Sequence, residues 1–356
     1  MTVTPFVYDA LPGRVVFGAG TARTALGPEV ERLGGTRVLL IATPREEPLA
    51  RELCGPLGTS VVVAFTGVRP QVPVEVAEAA RALAAEHRVD LVLSIGGGST
   101  TGTAKAVAMT TGIPVLAVPT TYAGSEVTPV WGMTEDRRKT TGMDLKVMPR
   151  TVIYDPDLTV SLPPGLSAVS GLNAMAHCIE AFWAPGRNPA VSSMAEAGIR
   201  ALTTGLPGVV ANGANIDARS EALLGAWLAG AALAVSGTGL HHKICHVLGG
   251  TYDLPHAETH AVVLPHVLAF NAPAVPDAAD RIASALGATD AVAGLVDLSA
   301  RLGAPTALRD LGLDGSKLEE ATDLVLEKVP PDNPRPVSRD DVAAILRAAW
   351  AGAPAN

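Results

Sequence analysis

Six short apolar runs recur through the first 156 residues: RVVFG at 14–18, RVLLIAT at 37–43, VVVAF at 61–65, DLVLSI at 90–95, PVLAVPTT at 114–121 and TVIYDP at 151–156. Each is continuous rather than alternating and of strand length, the pattern of strands buried on both faces of a parallel sheet. Between several of them lie segments with helical spacing, VPVEVAEAARALAAEH at 72–87 and TGTAKAVAMTTG at 101–112. Strand and helix in alternation predict a doubly wound α/β sheet whose ligand sits at the carboxyl ends of the strands. After LPPG at 162–165 the strand-like runs stop. The rest of the chain, from LNAMAHCIEAFWA through PAVSSMAEAGIRALTTGL and ARSEALLGAWLAGAALAVSG to Trp350, reads as helix. The expected architecture is therefore α/β plus all-α: a parallel-sheet domain over 1–160 and a helical domain over 161–356. The cleft between them is the expected place for a small-molecule site.

Composition narrows the function classes. Of the 356 residues 48% are hydrophobic but only 4% aromatic. That suits closely packed helices and buried strands better than a binding module built on aromatic platforms. The formal charge is −8, from 27 Lys and Arg against 35 Asp and Glu, and no basic run exceeds Arg137-Arg138-Lys139. Nucleic acid and anionic membrane are accordingly not expected partners. Three separated cysteines, Cys54, Cys178 and Cys245, cannot all pair, which points to a reducing compartment. The opening MTVTPFVYDALPGR lacks a basic head followed by an apolar run, and the longest apolar runs break well short of the roughly 18 residues of a membrane span. A cytoplasmic protein is the expectation.

Two turns and one histidine cluster carry the candidate chemistry. SIGGGSTTGTAKA at 94–106 follows a strand and opens a helix. Its Gly96, Gly97, Gly98, Ser99 and Thr100 can bring backbone N–H groups and a helix N-terminus close to a pyrophosphate. Neither GxGxxG nor GxxxxGK[ST] is present there, so no standard Rossmann or ATPase label applies. The next strand leads into PTTYAGSEVTP, where Thr120 and Thr121 are candidates for the ribose or adenine end of a nucleotide.

Five of the chain's eight histidines fall within GTGLHHKICHVLGGTYDLPHAETH, residues 237–260. His242 and His246 are four apart, on one helix face, and His256 comes after a Gly-Gly break and a proline. Asn173 and His177 make a similar pair upstream. Two such pairs can surround a cation or a polar substrate group. Imidazoles suit Zn or Fe(II), but a hard divalent site usually includes a carboxylate, and Asn173 is a neutral amide. Histidines acting as proton donors or oxyanion partners therefore compete with a metal site.

Taken together and in this order, RVVFGAG, GGGST, PTTYAGSEVTP, LNAMAHCIEAF, the GLHHKICHVLGG…PHAETHAVVLPHVLAFN block, LGAPTALRDLG and NPRP resemble the iron-containing (group III) alcohol dehydrogenase superfamily over essentially the whole chain. The resemblance implies an N-terminal dinucleotide-binding domain, a C-terminal helical catalytic domain, the architecture shared with dehydroquinate synthase, and a homodimer. It also places the superfamily's metal ligands on Asn173, His177, His242 and His256, with His246 adjoining. This chain departs from the metal-dependent members in having Gly102 and Asn173 where they have aspartates, and Lys243-Ile244-Cys245 where they have small apolar residues. These details are similar to the maleylacetate reductases. They imply reduction of the carbon–carbon double bond of maleylacetate to 3-oxoadipate in aromatic-compound catabolism, with NADH or NADPH as donor and a metal absent or weakly bound.

For that reaction His177, His242 and His256 are expected to stabilise the enolate oxygen, with Asn173 as a neutral donor and His246 in support. His241 and His260 have no expected catalytic task. Lys243 and Lys105 are the expected anchors for a small dicarboxylate, with Arg137, Arg138 and Lys139 as a solvated run. RVLLIATPREE ends its strand on Thr43-Pro44-Arg45 rather than on an acid, so the site should tolerate both NADH and NADPH, unless Glu46 or Glu47 reverses this. The rivals are a metal-dependent alcohol or glycerol dehydrogenase of the same superfamily and a dehydroquinate synthase-like lyase. The second half lacks the Lys/Arg set that the lyase's phosphorylated substrate needs.

Overall fold

The computed structural model describes residues 6–135 and 138–355. The first half carries eight strands: β1 (Arg14–Phe17), β2 (Val38–Ile41), β3 (Val61–Phe65), β4 (Leu91–Gly96), β5 (Val115–Pro119), β6 (Val130–Glu135), β7 (Arg138–Met143) and β8 (Thr151–Tyr154). Interleaved with them are α1 (Thr21–Arg32), α2 (Glu47–Cys54), α3 (Val74–Glu86) and α4 (Gly98–Thr111). Six strands form one parallel sheet in the order β1-β8-β5-β4-β2-β3. The chain leaves β2 toward one edge, to β3, and returns on the other side of β2 with β4. The strand order thus reverses between β2 and β4, and the crevice beyond their carboxyl ends is where such sheets bind ligands.

β2, β4, β5 and β8 are buried along their whole length, which is why their sequences are continuously apolar. One departure from the sequence reading is β6 with β7, an antiparallel hairpin paired from Val130↔Met143 to Glu135↔Arg138, where a polar loop and a charged run were expected. Lysine, arginine and glycine suppress the strand signal there. The hairpin holds because Trp131 lies over Gly142, where a Cβ would sit 2.7 Å from the indole. Arg137 lies outside the described residues, as do the side chains of Arg138 and Lys139.

From residue 164 onward the regular structure is helical: α5 (Pro164–Glu180), α6 (Pro189–Ala211), α7 (Ile216–Ser236), α8 (Leu240–Tyr252), α9 (His256–Asn271), α10 (Pro276–Leu286), α11 (Ala291–Arg301), α12 (Leu318–Leu326) and α13 (Arg339–Ala351). α5 is the hinge of the packing. Its Leu172, Met175 and Ile179 share one apolar cluster with Ala117, Val152 and Tyr154 of the sheet and with the α6 and α7 faces. Small residues let these layers approach closely. At Gly230 of α7 a Cβ would be 2.3 Å from the Gly124 carbonyl, so this glycine seats the turn after β5.

Among the described residues, one helical stretch, Pro276–Arg301, is long and apolar enough to cross a membrane, as is the sharply bent α7–α8 pair if counted as one span. The first is interrupted between α10 and α11, and the second folds back at 100°.

Candidate active site

The ends of β4 and β5 meet at the glycine turn expected to hold a nucleotide. Gly96 has φ 152°, and a Cβ there would lie 2.5 Å from Thr100 Oγ1 and 2.6 Å from Glu46 Oε2, so no larger residue fits. Gly97 and Gly98 approach Thr121 and Ala123 almost as closely, and α4 starts at Gly98 with no side-chain cap on its N–H groups. Thr100 Oγ1 is buried without a partner. An uncapped helix start behind a glycine turn is an anion site in the making.

Glu46, one of the two acids that could reverse the cofactor tolerance expected from the sequence, closes this cradle at the end of β2. Its carboxylate accepts from Thr43 Oγ1 at 2.7 Å and from Thr120 Oγ1 at 2.7 Å. The strand end read as lacking an acid therefore acquires one three residues later, because α2 turns back over the sheet. Only the turn geometry reveals this.

Between the sheet ends and the helices lies a cleft of about 660 Å³. Its walls include Gly98, Ser99, Trp131, Ser170, Asn173, His177, His242, His246 and His256. Three helices supply the polar face. On α5, Asn173, His177 and Glu180 succeed one another at i, i+4 and i+7. On α8, His242 and His246 are one turn apart, and His256 is the first residue of α9. The His177 and His242 rings stack at 5.0 Å, the His242 and His246 rings meet edge-on at 5.9 Å, and the His246 and His256 rings lie 6.5 Å apart. The sequence-predicted imidazoles thus converge. Asn173 Oδ1, His177 Nδ1 and His242 Nε2 are buried and have no protein partner. Burial, reinforced by the imidazoles of His242, His256 and His241, holds His177 well below the ordinary histidine range.

Glu180 is the residue that sequence reasoning missed. It is fully buried, and its carboxylate accepts from His242 Nδ1 at 2.5 Å, from the His241 backbone N–H at 2.7 Å and from the Gly239 N–H at 3.0 Å. Burial alone would raise its pKa, but His242, His241 and the Gly239 N–H outweigh that and hold it below the usual carboxylate range. Gly239 is a glycine because a Cβ would lie 2.7 Å from Glu180 Oε1. The signal was present in LNAMAHCIEAF as an acid three residues after His177, but its partner stands 62 positions away.

Of the two lysines expected to hold the substrate, Lys105 is committed to backbone acceptors. Lys105 is buried beside the cleft, yet its ammonium donates to the carbonyls of Ser125, Thr128 and Val130 and to Thr128 Oγ1. These bonds fix the loop from β5 to β6 and leave no donor for an anion. Burial pushes Lys105 down to about 7, against the opposing charge of Glu126. Lys243 is half-buried and does not line the cleft. Gly102 lies where a Cβ would be 2.7 Å from Val72 Cγ2. The loop carrying Val72 takes the space that an aspartate at 102 would need, and Gln71 Nε2 then bonds Asp253 Oδ1 across the cleft mouth at 3.1 Å.

Known proteins are similar to this chain over nearly its whole length. The family descriptions "Iron-containing alcohol dehydrogenase" and "Fe-containing alcohol dehydrogenase family, C-terminal" match residues 12–156 and 167–350. A maleylacetate reductase of Sphingobium indicum is 48% identical over 349 residues, covering 98% of each chain. Among solved structures, an iron-containing alcohol dehydrogenase from Corynebacterium glutamicum superposes with a TM-score of 0.95 at 51% identity, covering 98% of both chains. A maleylacetate reductase from a Rhizobium species superposes at 0.93 with 46% identity, covering 98% of this chain and 99% of that one. With both halves matched and the glycine cradle and histidine-lined cleft falling inside the matched segments, the chain belongs to the iron-containing alcohol dehydrogenase family.

Proposed function

We propose that the protein reduces the carbon–carbon double bond of maleylacetate to give 3-oxoadipate in aromatic-compound catabolism, using a dihydronicotinamide cofactor. The observation that carries this reading is the Glu180–His242 pair aimed into a cleft that opens onto the glycine cradle. It is supported by near-full-length similarity to curated maleylacetate reductases at 45–48% identity. When bound, the cofactor supplies a hydride to the alkene carbon β to the substrate's ketone. Charge then develops on the ketone oxygen as an enolate, and the carbon between them must take a proton.

The chain's own residues meet those needs. Nδ1–H of His242 is held by Glu180, so Nε2 is left for the cleft. When Nε2 also carries a proton, the buried carboxylate balances the ring's charge, and the ring can stabilise the oxyanion and surrender a proton. His177, kept neutral by burial, serves as a hydrogen-bond donor rather than an acid. Asn173 adds a neutral polar contact. His246 and His256 complete the polar face, and the start of α9 adds the partial positive charge of a helix N-terminus toward the substrate carboxylates. Among the described residues, no arginine lines the cleft.

The family's iron fits this donor set poorly. Three imidazoles and an amide offer no carboxylate to offset a divalent charge, and Glu180 is committed to His242 and two backbone N–H groups. The nicotinamide cofactor does fit, because at Gly96 a Cβ would fill the cradle and α4 starts behind it with uncapped N–H groups. With Glu46 at the end of β2, NADH is the favoured donor over NADPH, the departure from Thr43-Pro44-Arg45 that Glu46 was expected to allow. Three free, buried cysteines accord with a reducing, cytoplasmic setting, and a homodimer remains the proposed assembly.

The test is consumption of NADH and NADPH with maleylacetate and with simple aldehydes and ketones, and the oxidative reaction with glycerol, each with and without EDTA. Turnover confined to maleylacetate and indifferent to EDTA is expected. Comparable kcat/KM on glycerol or aldehydes would overturn the substrate assignment, and rapid loss of turnover in EDTA would overturn the metal-free reaction.

A further inference from the structure

The histidine-rich stretch has a second face that the reaction does not use. His241 and Cys245 sit one turn apart on α8, pointing away from the cleft, and His260 lies one turn into α9. His241 Nε2 and His260 Nδ1 are 2.9 Å apart, and Cys245 Sγ is 3.7 Å from His241 Nε2. One nitrogen or sulfur from each residue falls within 4.8 Å of the others, and all three residues are at most 1% exposed. Cys245 stands in an apolar cluster with Ile244, Leu248 and Val263.

We propose that His241, Cys245 and His260 form a buried site of two nitrogens and one sulfur for a thiophilic cation, zinc above all, that ties α8 to α9 behind the catalytic histidines. Zinc bonds of about 2.0–2.1 Å to nitrogen and about 2.3 Å to sulfur, set at tetrahedral angles, place two nitrogens about 3.3 Å apart and nitrogen about 3.6 Å from sulfur. The His241–Cys245 spacing here already matches, the His241–His260 spacing needs an opening of about 0.4 Å, and the third pair, His260 with Cys245, lies within 4.8 Å. Imidazole with thiolate is the ligand chemistry that selects zinc over hard cations, in contrast to the amide-containing set around Asn173. Three protein ligands leave the fourth position to a solvent oxygen. Binding displaces the Cys245 thiol proton to solvent. The proton shared between the two rings moves to the far nitrogen of its own ring, so no oxidant or reductant is required. The site lies against the chemistry without taking part in it: the His260 ring is 4.8 Å from that of His242 and 4.3 Å from that of His256. A cation there fixes the helices that carry both residues.

The test strips the purified full-length enzyme of metal and titrates it with zinc and with cobalt(II). One equivalent of cobalt per chain with a thiolate-to-cobalt charge-transfer band in the near ultraviolet is expected, and zinc should raise Tm. Cys245→Ser and His260→Asn should abolish the band and the rise in Tm. His177→Asn, which removes a ligand position of the family's iron site, should keep both. Turnover of maleylacetate by Cys245→Ser should be unchanged. If Cys245→Ser and His260→Asn both fail to fold, zinc K-edge absorption of the loaded wild type decides, since the site requires one sulfur and two nitrogen ligands. Cobalt uptake without the band, a band that survives Cys245→Ser, a band lost in His177→Asn, or a zinc edge without sulfur would each overturn the proposal. These readouts leave the substrate assignment untouched, so the two readings fail separately.

Discussion

Replacing Glu180 with glutamine tests the reaction at its least exposed point. The wild-type carboxylate accepts three hydrogen bonds, all from N–H donors: His242 Nδ1, the His241 backbone and the Gly239 backbone. A glutamine has one acceptor oxygen. If it serves the His241 N–H, its NH2 group faces the Gly239 N–H and His242 Nδ1. The ring can then relieve the donor–donor clash only by moving its proton to Nε2. His242 would still offer an N–H to the cleft, but no buried carboxylate would balance a second proton on the ring. What is lost is a charge-assisted hydrogen bond, worth about 1.5–3 kcal/mol. At about 1.4 kcal/mol per decade of rate, that is roughly a 10- to 150-fold fall in kcat/KM, approaching about 10³-fold if the ring is also displaced from the oxyanion. The assay is steady-state oxidation of NADH with maleylacetate, normalised to folded protein, because the orphaned Gly239 N–H also costs stability. Glu180→Asp, which keeps the charge but shortens its reach, should recover part of kcat. A folded Glu180→Gln enzyme whose kcat/KM stays within about threefold of wild type would show that the pair is structural and that His242 is not the group stabilising the enolate.

Three other perturbations have definite expected outcomes. Glu46→Gln should raise kcat/KM for NADPH relative to NADH by about tenfold, since at a separation near 5 Å and an effective dielectric near 20 a like-charge repulsion is worth a few kcal/mol before screening; an unchanged ratio in steady-state kinetics would place the ribose elsewhere. Lys105→Met should leave the Ser125, Thr128 and Val130 carbonyls without their donor, costing about 3 kcal/mol of stability by urea denaturation and raising KM for the cofactor. Acid should destabilise the metal-stripped enzyme earlier than carboxylates alone predict. Burial lowers His241 to about 3 and His260 well below the ordinary range, so the folded state resists protons that the unfolded chain accepts. Their contribution is complete above the unfolded value near 6.5 and is lost as pH falls from there toward 3, at up to about 1.4 kcal/mol per pH unit for each group. Urea titrations across this range should show that slope reduced in His260→Asn; an unaltered slope would refute it.

The chain's local pattern determined its architecture before any tertiary information. Buried parallel strands must be apolar on both faces, so β2, β4, β5 and β8 stand out as unbroken Val, Ile and Leu runs, and helical spacing alone placed His242 with His246 and Asn173 with His177 on common faces. The β6–β7 hairpin was hidden because Gly142 is spent on packing Trp131, and glycine does not read as strand.

Partnerships between distant residues were not legible, because a contact is a property of the assembled packing and not of spacing. Glu180 is marked by nothing but its position on α5 until the start of α8 folds onto it, and which of Glu46 and Glu47 reaches the end of β2 is settled only by the turn before α2. Lys105 looked like an anion anchor because it comes after a phosphate-type glycine turn. Burial beside three carbonyls gave it another task, since an ammonium desolvated on all sides must spend its protons on whatever acceptors surround it. The histidine cluster divides on the same ground. Sequence supplied five imidazoles in one stretch, and the packing of α8 against α9 turned His242, His246 and His256 toward the cleft and set His241 and His260 with Cys245 behind it.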